Sequence, residues 1–238
     1  MVSNLKTIII LKYSKNIIFE ACMLSQCKNG GSCNSISSTN FTCQCINDYY
    51  GRLCEYKKLN STIFENSTIL TQEESVDLVN LINMNKNWTL IYQSSVDGLD
   101  PIKFHSKCDD VKNVLVITKS INSNVFGGYT SVGWTSQYGI WPYDSSAFLF
   151  SLKNKYNKSV KLNVTRPENA VFSYYNYGPV FGSGYDLILS NRQDSYSYCN
   201  LGNSYEKPSF INPGQEAQTF LAGSYGFFVS EIEVYSSN

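Results

Sequence analysis

The chain closes on Phe220-Leu-Ala-Gly-Ser-Tyr-Gly-Phe-Phe-Val-Ser-Glu-Ile-Glu-Val-Tyr235. From Phe227 to Tyr235 this stretch reads as a β-strand. Phe228, Ile232 and Val234 share one face and point inward, while Glu231 and Glu233 share the other, a solvated face. Upstream, short runs of β-forming residues recur between Gly, Asn and Ser: Trp88 to Gln93, Asn113 to Lys119, Ala147 to Leu152, Val171 to Tyr175 and Asp186 to Ser190. The pattern predicts a mainly β (α+β) domain, an antiparallel β-sandwich with a few short helices.

Two helices are predicted ahead of and among these strands. Thr71-Gln-Glu-Glu74 is a capping-box pattern, and Val76, Val79 and Ile82, with Leu78 and Leu81, form an apolar helical stripe that ends near Asn83, Asn85 and Asn87. The stripe is read as a face packed on the sandwich. Pro101 to Asp109 predicts a short helix with Phe104 and Cys108 facing inward. Residues 55–70, rich in Asn, Ser and Thr, read as a linker, so the larger domain is set at 71–236.

Ahead of the linker, Cys22, Cys27, Cys33, Cys43, Cys45 and Cys54 fall within 33 residues, out of eight cysteines in all. A segment that short buries too little apolar surface to fold alone, and disulfides worth about 2–4 kcal/mol each substitute for a core. Six cysteines allow fifteen pairings, and arithmetic does not choose among them. The alternative is a zinc knuckle, but Cys43-Gln-Cys45 lacks the usual ligand spacing and the single histidine, His105, lies far away.

With Gly30 and Gly31 before the third cysteine, Gly51 before the sixth and Glu55 after it, residues 22–54 resemble the epidermal growth factor (EGF) module. The resemblance implies the pairs Cys22 with Cys33, Cys27 with Cys43, and Cys45 with Cys54. It argues against calcium, since the lead-in Ile18-Phe19-Glu20-Ala21 lacks the acidic run of calcium-binding modules, and Ser35 and Ile36 stand where a ligand is expected. The loop Cys27-Lys-Asn-Gly-Gly-Ser32-Cys33 looks like an O-fucosylation acceptor with the sugar on Ser32; it reads equally as a glycine turn with a hydroxyl for the backbone. Asn40, Asn60, Asn66, Asn157 and Asn163 begin N-linked glycosylation sequons; Asn87 also does, but beside Trp88 it is expected to be buried.

A second resemblance covers roughly residues 63–236. Trp88-Thr-Leu-Ile-Tyr-Gln-Ser, Asp97-Gly, Phe104-His-Ser-Lys-Cys-Asp109, Val125-Phe-Gly-Gly-Tyr-Thr130, Trp134 and Ala147-Phe-Leu-Phe-Ser-Leu152 are similar in order and spacing to the TLDc domain. Phe181-Gly-Ser-Gly-Tyr-Asp-Leu187, Leu201-Gly-Asn-Ser-Tyr205 and the closing stretch extend it. The resemblance implies a sandwich of two antiparallel sheets with helices at its edges, and brings no cofactor and no accepted catalytic residue. It makes Gly127, Gly128, Gly182 and Gly223 turn or close-approach positions. Gly127-Gly128 lacks the context of a phosphate loop. Animal relatives are linked to oxidative-stress resistance and to binding the vacuolar proton pump (V-ATPase).

Composition limits the partners. Nineteen basic and nineteen acidic residues give zero formal charge, so nothing favours nucleic acid or an anionic membrane. No run approaches the roughly 20 apolar residues of a membrane span. Residues 1–21 hold only two short apolar runs, Thr7-Ile-Ile-Ile-Leu11 and Ile17-Ile18-Phe19, an atypical secretory signal or the start of a fragment. A disulfide-bonded module belongs outside the cell, so the expected function is non-enzymatic: a secreted or cell-surface protein recognising an unknown protein or glycan, with V-ATPase a partner only if the chain is cytosolic.

Three constellations are chemical candidates. His105, Cys108 and Asp109 on one short helix suggest a thiol hydrolase or peroxidatic site, against the plainer reading of a packed cysteine and a capping histidine. The pairs Glu231 with Glu233 and Asp97 with Asp100 could act as acid and base or hold a cation; a solvated face and turn residues explain them as well. Cys108 and Cys199 remain as either an extra bridge or two buried thiols.

Overall fold

A computed structural model describes residues 22, 27–37, 39–57, 63–190 and 197–237. They form two compact units, one ending before residue 61 and one from there to the C-terminus.

In the first unit, strands β1 (Ser32–Ser35) and β2 (Phe41–Gln44) form an antiparallel hairpin with Cys33 opposite Cys43, and β3 (Tyr49–Tyr50) pairs with β4 (Tyr56–Lys57). Disulfides join Cys22 to Cys33, Cys27 to Cys43 and Cys45 to Cys54, with Cα separations of 5.6, 5.7 and 5.3 Å. Of residues 27–37 and 39–55 only Cys54 is buried, so covalent links stand where a hydrophobic core would. Gly31 is required by one of them: a Cβ there would lie 2.5 Å from the Cys54 sulfur.

The second unit is built on a six-stranded antiparallel sheet. Helix α1 (Gln72–Ile82) precedes β5 (Trp88–Gln93), the short α2 (Ser94–Asp97) and α3 (Pro101–Cys108). Strands β6 (Val114–Ser120), β7 (Val125–Thr130), β8 (Phe148–Lys153) and β9 (Val160–Asn163) follow, then β10 (Val180–Phe181), β11 (Leu187–Ile188), β12 (Ser197–Cys199), helix α4 (Gln215–Thr219), β13 (Gly226–Phe227) and β14 (Val229–Ser237). The large sheet has the order β5-β14-β6-β7-β8-β9, so the C-terminal strand lies inside it, and β10 to β13 form a second, four-stranded sheet.

The two sheets pack face to face. Tyr92, Val116, Phe126, Leu149 and Val234 from the large sheet meet Phe181, Leu187 and Phe227 from the small one in a single buried cluster. Gly128 sets the approach, because a Cβ at that point would lie 2.7 Å from the Phe181 ring and 2.8 Å from Leu149. The opposite face of the large sheet is covered too. Helix α1 lies against β8 and β9 with Val76, Leu78, Val79 and Ile82 buried. Its capping box is formed: Thr71 Oγ1 accepts from the Glu74 N–H at 3.2 Å, and Glu74 accepts from the Thr71 N–H at 3.0 Å.

Four expectations change. Residues 63–70, assigned above to the linker, bury Ile63, Phe64, Ile69 and Leu70, and Phe64 meets the Tyr235 ring edge-on at 4.9 Å. Val171 to Tyr175 is not a strand. It makes single bridges: Val171 pairs with Phe181 of β10 and Ser173 with Ile140, so the segment changes partner before a ladder extends. The closing strand breaks at Phe228, which is 37% exposed instead of inward, where the chain passes from the small sheet to the large one. The face bearing Glu231 and Glu233 is covered, leaving Glu233 fully buried.

Candidate functional site

The site begins at α3. Asp100 caps the helix by accepting from the Ile102 N–H at 2.7 Å, Pro101 occupies the first turn, and Phe104 and Cys108 are fully buried. Phe104 sits edge-on between Tyr92 at 5.9 Å and Trp134 at 5.6 Å, which fixes the helix on the sandwich. That anchoring turns His105 inward beside Phe104.

His105 ties three segments together. Its Nδ1 is 2.6 Å from Asp109 Oδ1, one helical turn on, and its Nε2 is 3.0 Å from the carbonyl oxygens of both Tyr174 and Tyr177. Carbonyls only accept, so Nε2 donates to them. The second Asp109 oxygen accepts a short hydrogen bond from the Ser136 hydroxyl. The Asp110 N–H donates to the Trp134 carbonyl at 2.9 Å, which holds the 134–136 segment against the end of α3.

The side chains of a hydrolytic triad are therefore present, but they are wired as Ser136–Asp109–His105. The histidine nitrogen that would take a serine proton is occupied by two carbonyls instead. Neither ring nitrogen faces Cys108, and burial pushes that thiol well above its ordinary range. The arrangement fixes a loop.

The loop so fixed carries aromatic rings. Phe172-Ser-Tyr-Tyr-Asn-Tyr177 lies beside Tyr138-Gly-Ile-Trp141, and the two are joined by reciprocal backbone hydrogen bonds between Ile140 and Ser173 at 3.2 and 2.9 Å. Tyr138 meets Tyr174 at 5.0 Å, Trp141 meets Phe172 at 4.5 Å, and Tyr174 stacks on Tyr175 at 4.8 Å and touches Tyr177 at 5.0 Å. These rings remain open to solvent: Tyr138 is 76% exposed, Tyr175 48% and Trp141 37%. A hydrogen bond with Tyr175 pushes the Tyr174 phenol above its ordinary range. Beside Tyr175 opens a cleft of about 290 Å³ lined by Ile102, His105, Ser106, Asp109, Ser136 and Tyr175.

The other candidate residues are engaged by neighbouring segments. Glu231 accepts from the Ser94 hydroxyl and from the Ser95 and Ile232 N–H groups, while Glu233 accepts from Ser67, Thr68 and Tyr235. Asp97 accepts from the Gln93 N–H at 2.9 Å and pairs with Lys107 at 3.1 Å. Burial raises the Asp97 carboxyl, but these two partners outweigh it and leave the group below its ordinary value. Cys108 and Cys199 are free and buried, and desolvation pushes the Cys199 thiol up to about 12. Among the described residues no three His, Cys, Asp or Glu side chains gather to hold a metal.

Ser32, Asn40, Asn66, Asn157 and Asn163 are exposed, and Asn60 lies outside the described residues. Asn87, expected to be buried beside Trp88, is exposed instead, because the indole turns inward and carries the burial. The sequence reading missed Ser136 and the aromatic loop. The available signal was the density of Tyr and Trp in segments broken by Gly, Asn and Pro.

Fold and site together define a β-sandwich domain with an exposed aromatic loop face, on a chain that also carries a disulfide-rich unit. The TLDc domain profile matches residues 63–238, most of the chain, and the protein belongs to the TLDc family. The match begins at Ile63, which is buried in the packed segment ahead of α1. No curated protein matches the chain.

Proposed function

We propose that the protein is a non-enzymatic interaction protein of an extracellular or cell-surface compartment, in which an EGF-like module carries a TLDc domain that recognises a protein or glycan. The observation that carries this reading is the set of three disulfides in a unit where, among the described residues 27–37 and 39–55, only Cys54 is buried. Such bonds persist in oxidising compartments and are rare in the cytosol. Among the described residues no helix is long and apolar enough to cross a membrane.

The aromatic loop face supports the second half of the reading. Tyr and Trp supply large contact area at low entropic cost, and hydroxyl-bearing rings left exposed on a pinned loop are the composition of recognition surfaces. In this reading Ser32 and the exposed asparagines Asn40, Asn66, Asn157 and Asn163 are sugar acceptors.

The test is binding of the tagged, folded protein to intact cells. Binding should fall several-fold when Tyr138 and Trp141 are both changed to Ala. If the protein instead has all thiols reduced in its native source and copurifies with the proton pump, the cytosolic alternative holds.

A further inference from the structure

The cleft beside Tyr175 has a lining that selects a ligand class. About 290 Å³ is close to the lower limit of about 300 Å³ for small-molecule sites, enough for one ring-sized group. One wall is the half-exposed face of Tyr175 and another is Ile102, 72% exposed. The remaining positions present acceptors. Asp109, with 22% of its side chain exposed, has two oxygens and about four acceptor sites, of which His105 and Ser136 use one each. The Ser106 hydroxyl donates to the Lys103 carbonyl at 2.8 Å and the Ser136 hydroxyl donates to Asp109, so both oxygens still accept. No lysine or arginine is among the six lining residues, and a carboxylate stands at the wall, so an anion is disfavoured.

A flat ligand with one apolar face and a rim of hydroxyl donors fits all of these features. A quaternary ammonium ion would need several ring faces around one point, and the lining supplies only Tyr175. We infer that this cleft is a subsite for one neutral sugar ring of a glycan, stacked on Tyr175 and held through its hydroxyls by Asp109, Ser106 and Ser136. The inference rests on the reading of the aromatic face as an interaction surface and names its ligand. His105 acts as a positioning residue: by holding Asp109 and the Tyr174 and Tyr177 carbonyls it sets ring and carboxylate at a fixed distance before the ligand arrives.

The experiment is saturation-transfer NMR on the full chain with neutral oligosaccharide fragments of β-glucan, mannan, galactan and chitin, and with choline as the cationic control. At least one fragment should receive transfer, Tyr175→Ala should weaken it by about tenfold or more, and Tyr175→Trp should retain it. Tyr175 is exposed, and an unchanged near-ultraviolet circular dichroism spectrum verifies folding. Absence of transfer to every fragment, transfer that Tyr175→Ala leaves unchanged, or transfer to choline alone overturns the inference. Cell binding measured before and after enzymatic removal of surface glycans separates the two readings. Binding that survives deglycosylation keeps the interaction surface and removes the sugar; no cell binding removes both.

Discussion

Glu233, in the middle of the C-terminal strand, accepts a hydrogen bond from the Thr68 N–H at 2.6 Å, across 165 positions of sequence. The same carboxylate takes the Thr68 hydroxyl at 3.0 Å, the Ser67 hydroxyl at 2.7 Å and the Tyr235 hydroxyl at 3.0 Å. A strand that looks half solvated is thus sealed by the segment entering the domain, and the buried carboxylate is the clasp. Without these partners a buried charge would be costly; with them it fixes where the entry segment lies.

Glu233→Ala therefore removes the acceptor of three hydroxyls and a backbone N–H at the entry segment. Stability should fall by about 2–4 kcal/mol, measured by urea unfolding, with amide exchange at residues 63–70 accelerating first. A loss within experimental error would mean that the segment is held by its apolar side chains alone.

His105→Ala removes one ring that serves three segments. We expect a loss of about 1–3 kcal/mol and faster hydrogen exchange across residues 172–178 and 134–136. An exchange pattern unchanged there would show that the Ile140–Ser173 backbone pair suffices to hold the loop.

Much of this was legible in the sequence, for physical reasons. Period-two alternation marks a strand, and a capping box marks a helix start, so β14, β5, β6 and α1 were read close to where they lie. Alternation cannot say whether a second layer covers the other face, and on alternation alone Glu231 and Glu233 read as solvated. Composition cannot separate a strand from an aromatic loop, and Val171 to Tyr175 has strand residues but changes partner from β10 to Ile140 within three residues. Ser136 joins Asp109 only through tertiary packing and has no local signature.

Asp144 is a pH-sensitive part of the fold. Burial raises its carboxyl, but the Ser146, Ser131 and Thr130 donors outweigh burial and hold it below its ordinary value. A carboxyl depressed in the folded state contributes stability above its unfolded pKa of about 3.9, and that contribution is lost as pH falls through the folded pKa. The stability gap between wild type and Asp144→Ala should be constant above about pH 5 and shrink below about pH 4. A gap that widens on acidification would reverse the assignment.

Cys108 and Cys199 should be silent toward thiol reagents in the native state and react fully on unfolding, since both are buried and burial pushes both thiols up. Fast native reaction of Cys108 would reopen a thiol chemistry at α3.

Gly128→Val should cost about 1–3 kcal/mol or more, because its side chain meets Phe181 and Leu149 between the sheets. A stable variant with unchanged spectra would mean that the small sheet is free to shift.

The extracellular reading stands or falls on the oxidation state of the first unit in the protein's own source. A disulfide map by mass spectrometry, with glycan masses read from the same peptides, is the direct measurement. The account predicts Cys22–Cys33, Cys27–Cys43 and Cys45–Cys54 oxidised, Cys108 and Cys199 free, and sugar on at least one of the exposed acceptors. Eight free thiols and bare acceptors would contradict it and return the TLDc domain to the cytosol.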